Sequence, residues 1–274
     1  MQSPGPIGVF DSGYGGLTVY KELVKALPDY DFIYLGDNAR VPYGTRSFET
    51  VYEYTWECVQ RLFHMNCHLV ILACNTASAK ALRSIQQKNL PEIEAHKRVL
   101  GVIRPSTEKA GEMTRNGHLG IFATEGTVRS KSYEIEIEKF FPEIKVSQQA
   151  CPMWVPLVEN DEYNKQGADY FVKQYIDELL AQDAEIDTVL LACTHYPLLE
   201  PKIREFLPDH IQVVSQGELV ANSLKDYLIR HAEMDDLITK NGNRRFFTTE
   251  SPEKFSEKAE LFLGETIEVE KLNL

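Results

Sequence analysis

Two cysteines in this 274-residue chain end apolar runs of the same kind, 119 residues apart: His68-Leu-Val-Ile-Leu-Ala-Cys74-Asn75-Thr76 and Asp187-Thr-Val-Leu-Leu-Ala-Cys193-Thr194-His195. A thiol is a usable base only as its thiolate, and an ordinary Cys, with a pKa of about 8.5, is only slightly ionised at neutral pH. Position can correct this. A short β-branched and leucine-rich run that stops at polar residues reads as a buried parallel strand, which puts each thiol at a strand's C-terminal end and at the N-terminus of the element that follows. There a helix N-terminus favours the anion, and His195, two residues past Cys193, can share its proton. One Cys with one His would suggest acyl transfer. Two equivalent thiols facing one cleft suit inversion of a stereocentre, in which one group removes a proton from one face of a carbon and its twin delivers another to the opposite face. If each sulfur approaches that carbon within roughly 3–3.5 Å, the pair stands roughly 7 Å apart, far beyond disulfide length.

The duplication reaches beyond the cysteines. Ile7-Gly8-Val9-Phe10-Asp11-Ser12 and Leu119-Gly120-Ile121-Phe122-Ala123-Thr124 share a Gly-bearing apolar run, and Ser12 precedes Cys74 by 62 residues while Thr124 precedes Cys193 by 69. Strand and helix signals alternate throughout. The expected fold is therefore α/β: two pseudo-symmetric domains with mainly parallel sheets and the active site in the cleft between them, where ligands meet the C-terminal strand ends. The polar stretch 86–97 is expected to carry the crossover. This gives domain A as residues 1–97 plus 210–274, and domain B as 98–209. Residues 152–164, with Glu159, read as an irregular functional loop.

Asp11 and Ser12 follow the first strand, on Cys74's side. An Asp beside a thiolate raises the thiol's proton affinity, so its expected role is to exchange protons or orient groups. The loop Gly13-Tyr-Gly15-Gly16 fails both the dinucleotide and the P-loop patterns, and its glycines instead let backbone N–H groups approach a small anion such as a carboxylate.

Bulk properties limit the partners. With 29 basic and 41 acidic residues the net charge is −12, which opposes binding to nucleic acid or an anionic membrane. No apolar run reaches membrane-spanning length and the N-terminus lacks a signal core, so the expected location is cytoplasmic. Five cysteines without a CxxC pair indicate neither a disulfide framework nor a metal site, and Cys58, Cys67 and Cys151 read as buried small hydrophobes. The charge is compatible with a monomer or a homodimer.

Five segments in order carry a resemblance: Asp11-Ser12-Gly13-x-Gly15-Gly16, Asp37-Asn-x-x-x-Pro42-Tyr43-Gly44, Ala73-Cys74-Asn75-Thr76-Ala77, Pro156-Leu-Val-Glu159 and Cys193-Thr194-His195-Tyr-Pro197. Together they resemble the cofactor-independent aspartate/glutamate racemase family, its glutamate racemases in particular, over nearly the whole chain. The resemblance implies interconversion of L- and D-glutamate for peptidoglycan, with neither cofactor nor metal. It implies Cys74 and Cys193 as the acid/base pair, assisted by Asp11, Glu159 and His195. Ser12, Pro42, Tyr43, Gly44, Asn75, Thr76, Thr124, Thr194, Asp11 and His195 are implied as substrate-holding positions. One departure is Asn160-Asp161, where relatives usually have a glycine. Some relatives carry an N-terminal extension, for which the first strand at Ile7 is expected to leave no room. The alternatives are racemisation of aspartate or another amino acid, a related decarboxylase, which two thiols disfavour, and a non-catalytic amino-acid-binding or thiol redox-sensing protein.

Overall fold

Apolar runs too hydrophobic to leave either face in water must be covered on both sides by helices, and the computed structural model, which describes residues 3–274, shows them so covered. Among the described residues ten strands form: β1 Ile7–Asp11, β2 Phe32–Gly36, β3 Leu69–Leu72, β4 Arg98–Gly101, β5 His118–Ala123, β6 Lys145–Ala150, β7 Thr188–Ala192, β8 Gln212–Ser215, β9 Arg244–Thr248 and β10 Val269–Lys271. Every residue of β1, β2, β3 and β7 is buried. The strands make two sheets with parallel pairing throughout, in the orders β10-β9-β2-β1-β3-β4 and β6-β5-β7-β8.

The duplication seen in the sequence is now topological. The order β2-β1-β3-β4 in one sheet repeats as β6-β5-β7-β8 in the other, so β1 corresponds to β5 and β3 to β7. In each sheet the chain runs outward in opposite directions from its first strand. That reversal opens a crevice at the strands' C-terminal ends. Asp11 and Cys74 occupy it in the larger sheet, Thr124 and Cys193 in the smaller.

Strand pairing corrects two expectations. β4 pairs with β3 and β8 with β7, so each sheet extends one strand past the boundaries expected at 97/98 and 209/210. The polar stretch 86–97 is the return from β3 to β4 within one sheet. Its preceding helical run is broken into Asn75–Lys80, Leu82–Ser84 and a wide-turn segment, Ile85–Asn89. The chain changes sheets between β4 and β5, and returns after β8 through the helix Gly217–Arg230, which packs on the helix Leu17–Ala26. Residues 154–159, expected to be irregular, are helical, with Pro156 inside the first turn, where its missing N–H breaks no bond.

One apolar core runs across both sheets, from Ile7, Tyr20 and Leu23 to Phe122, Trp154 and Tyr196. Trp154 packs against Phe122 and Tyr196 with ring centroids 4.8 Å away in each case. This continuous packing fixes how the two strand-end crevices face each other. Among the described residues no helix is long and apolar enough to cross a membrane. Of the N-terminal reading, Met1 and Gln2 lie outside the described residues.

Candidate active site

Because β1 and β3 are neighbours in register, the side chains just past their ends converge. Ser12 Oγ lies 3.5 Å from Cys74 Sγ, and the Ala77 backbone N–H donates to the same sulfur at 3.4 Å, so Cys74 caps the helix Asn75–Lys80. Asp11 is fully buried. Its Oδ2 accepts the Gly13 N–H at 2.9 Å, while its Oδ1 has no partner. Burial raises the Asp11 proton affinity above the usual carboxylate range, against the opposing pull of His195 and the Gly13 and Gly16 amides.

Across the crevice, Cys193 Sγ is 4.0 Å from His195 Nδ1, and His195 Nε2 is 3.1 Å from Glu159 Oε1. Burial alone would strip the proton from His195. Its contacts with Cys193 and the Glu159 carboxylate outweigh burial and raise it to about 10. Glu159 thus joins the cluster from the end of the helix Trp154–Glu159.

Both thiols are 6% exposed, and all five cysteines are free. The expectation of a helix-stabilised thiolate is corrected at Cys74, and at Cys193 a 3₁₀ turn stands where a helix N-terminus was expected. Cys74 is pushed up to about 12, first by burial and then by Asp11, with the Ser12 and Ala77 contacts only partly offsetting this and the Cys193 charge adding to it. Cys193 precedes only the short 3₁₀ turn Tyr196–Leu199, so its polar companion is His195 instead of a helix end.

The two halves touch at this site. Thr18 Oγ1 donates to the Thr194 carbonyl at 2.9 Å. Thr76 and Thr124 hydroxyls are 3.0 Å apart, and a methyl added to Gly44 would lie 3.2 Å from Thr124 Cβ. Pro42, after a cis bond to Val41, precedes a turn over residues 43–46, closed by the Arg46 N–H donating to the Tyr43 carbonyl at 3.2 Å. The Tyr43 hydroxyl is spent on Asp37 Oδ2 at 2.5 Å, which leaves Tyr43 only its backbone to offer a ligand. Ser12 and Cys74 thus meet on one side and Cys193, His195 and Glu159 on the other, whereas the Tyr43 hydroxyl and the Asn75 amide are turned to Asp37 and to Gln216 and Tyr133.

Several neighbours escaped the sequence reading. Lys80, buried, donates to the Arg46 carbonyl at 2.5 Å and pins the turn that contains Gly44. Phe262, from the tail, meets the His195 ring edge-on at 5.7 Å. A lysine inside a polar helical stretch and an aromatic in a one-faced helix carry no local mark of such contacts.

This geometry has a family. A model of the Asp/Glu/Hydantoin racemase family matches residues 7–224. The chain belongs to that family. Within it, the glutamate racemase of Geobacter metallireducens is 41% identical over 259 residues, covering 94% of this chain and 92% of that protein. Among solved structures, glutamate racemase isoform RacE1 from Bacillus anthracis superposes with a TM-score of 0.86 at 36% identity, covering 98% of each chain. The Francisella tularensis glutamate racemase, solved in complex with D-glutamate, also gives 0.86, at 31% identity and 98% coverage of both.

The His195 cluster of this Asp/Glu/Hydantoin racemase family member yields a pH prediction. A proton affinity raised in the folded state stabilises the fold fully below the ordinary histidine value of 6.5, and that stability is lost as pH rises through about 10. Glu159→Gln removes one cause of the shift. NMR titration of the ring is expected to give an alkaline midpoint in the wild type and a lower one in Glu159→Gln. An ordinary midpoint near 6.5 in both proteins would contradict the ion pair.

Proposed function

We propose that this protein interconverts L- and D-glutamate without a cofactor, through Cys74 and Cys193 acting as paired acid and base. The observation that carries the reading is the pair of equivalent thiols on facing crevice rims of a repeated fold, in a chain whose full-length relatives are glutamate racemases. With the substrate between the rims, one thiolate takes the Cα proton and becomes a thiol. The other thiol gives its proton to the opposite face and becomes the thiolate. Bonds, protons and electrons balance, and the reverse direction exchanges the roles.

The high proton affinity of Cys74 has a use here. A Cα–H is a weak acid, and the thiolate of a high-pKa thiol is a strong base once formed. A substrate ammonium beside Cys74 and the unpartnered Asp11 Oδ1 favours both anions by opposite charge. On the other rim, His195 can share a proton with Cys193, with Glu159 holding the ring. Ser12, Asn75, Thr76, Thr124, Thr194 and the Tyr43–Gly44 backbone supply donors for the two carboxylates. Those that meet the α-carboxylate also balance the negative charge that gathers there as Cα loses its proton. Thiols this buried require the rims to part for substrate and to close again, which shuts out water.

The substrate test is a panel of D- and L-amino acids followed by polarimetry or circular dichroism, with no cofactor added. Glutamate is expected to racemise in both directions, and aspartate, shorter by one methylene, about 10- to 200-fold less efficiently. A preference for aspartate would reassign the substrate, and racemisation of neither would overturn the reading. The acidic surface suits a cytoplasmic enzyme, as a monomer or a homodimer.

A further inference from the structure

Asn75, the residue after Cys74, is 2% exposed and belongs to a closed ring of three hydrogen bonds. Its Nδ2 donates to Gln216 Oε1 at 2.7 Å, Gln216 Nε2 donates to Tyr133 Oη at 2.6 Å, and Tyr133 Oη donates back to Asn75 Oδ1 at 2.7 Å. Gln216 and Tyr133 are buried as well. The three residues are far apart in the chain and come from three elements. Asn75 starts the helix after β3, Tyr133 lies in the helix Ser132–Phe140 of the second half, and Gln216 immediately precedes the helix that returns the chain to the first.

Gln216 also reaches the other crossing. Its Nε2 lies 2.8 Å from Ser106 Oγ and 3.3 Å from the Val102 carbonyl, in the segment that leaves β4 for the second sheet. One side chain therefore ties together both passages between the sheets and the residue beside the catalytic thiol.

The direction of donation around the ring is forced. Inverting Asn75 alone would set acceptor against acceptor at Gln216 Oε1 and leave the Tyr133 hydroxyl without its acceptor, and inverting Gln216, alone or with Asn75, would turn its oxygen toward the Val102 carbonyl, at a cost that low-dielectric surroundings magnify. Asn75 Nδ2 carries two hydrogens, and the ring consumes one. We infer that Gln216 and Tyr133 are positioning residues that lock the Asn75 amide so that its second N–H is a fixed donor to a substrate carboxylate, and that they bind this donor to the two inter-sheet passages. The inference rests on the racemase reading for its substrate. The ring itself does not.

Gln216→Met keeps the side chain's length and removes its hydrogen bonds, and Tyr133→Phe removes a single hydroxyl. Each is expected to raise KM for both glutamate enantiomers about 3- to 30-fold, with kcat changed far less, because a donor that serves ground and transition states alike has been lost. The double variant should be no worse than the poorer single one, since either change opens the same ring. Lowered melting temperatures with unchanged KM, or losses that multiply, would overturn the positioning role. Side-chain amide NMR supplies a readout that needs no activity and no variant of Gln216 to fold. In the wild type one Asn75 amide proton, assigned by its absence from Asn75→Ala, should resist exchange with solvent, and Tyr133→Phe should release it. Rapid exchange of both protons in the wild type would refute the ring whatever the enzyme acts on, whereas a wild type that racemises no glutamate would count against the functional reading alone.

Discussion

Cys74→Ser and Cys193→Ser are each expected to fold normally and to lose racemisation by roughly 10²- to 10⁴-fold, the range over which a positioned acid or base contributes. A serine hydroxyl is too weak an acid to exist as alkoxide in water-like conditions, and it surrenders its proton far less readily than a thiol. Each variant still retains the opposite thiol. Because the two rims are related by the internal repeat, the surviving group can draw a proton from only one enantiomer. Cys74→Ser and Cys193→Ser should therefore wash deuterium from Cα of opposite enantiomers of labelled glutamate, as seen by mass spectrometry. Full racemisation by either variant, or wash-out of the same enantiomer by both, would exclude paired bases.

Gly15→Ala is expected to be nearly as damaging, although position 15 holds no reactive group. An added methyl carbon would lie 2.4 Å from His195 Nδ1 and 2.5 Å from Thr194 Oγ1. Neither neighbour can yield freely. His195 is buried and held by Glu159, and the Thr194 carbonyl is held by Thr18. The strain has two outlets, turning the imidazole away from Cys193 or parting the two rims. Overpacking of this sort costs about 1–3 kcal/mol in stability, and displacement of a catalytic group by about 1 Å can lower the rate about 10²-fold. Thermal melts and kcat/KM on one preparation read both effects. Wild-type activity in Gly15→Ala would show that the rims are not in contact there in the working enzyme.

Much of the fold could be read from local pattern because its strands are buried on both faces, which demands uninterrupted β-branched and aliphatic runs such as Leu69–Leu72 and Thr188–Ala192. The repeat of those runs at matched spacing also carried the two thiols and the two hydroxyls, Ser12 and Thr124. Sheet membership was not readable. Nothing in Arg98–Gly101 or Gln212–Ser215 states which sheet the strand will extend, since either sheet's edge would cover it equally well. Proton affinities were also misjudged where they depend on the whole fold: Cys74 has the expected helix cap, yet burial and Asp11 dominate it. The ring at Asn75 joins residues 58 and 141 positions away. Its tyrosine and glutamine have no separate signature in their own segments.

Racemisation of L-glutamate in deuterated water, stopped early, isolates the central chemical step. Two thiols working from opposite faces deliver a solvent-derived deuteron, so the D-glutamate first formed should carry deuterium at Cα while the remaining L-glutamate still carries protium. D-glutamate that keeps its original protium would mean that a single group moved the proton from one face to the other, and the paired-thiol mechanism would be wrong.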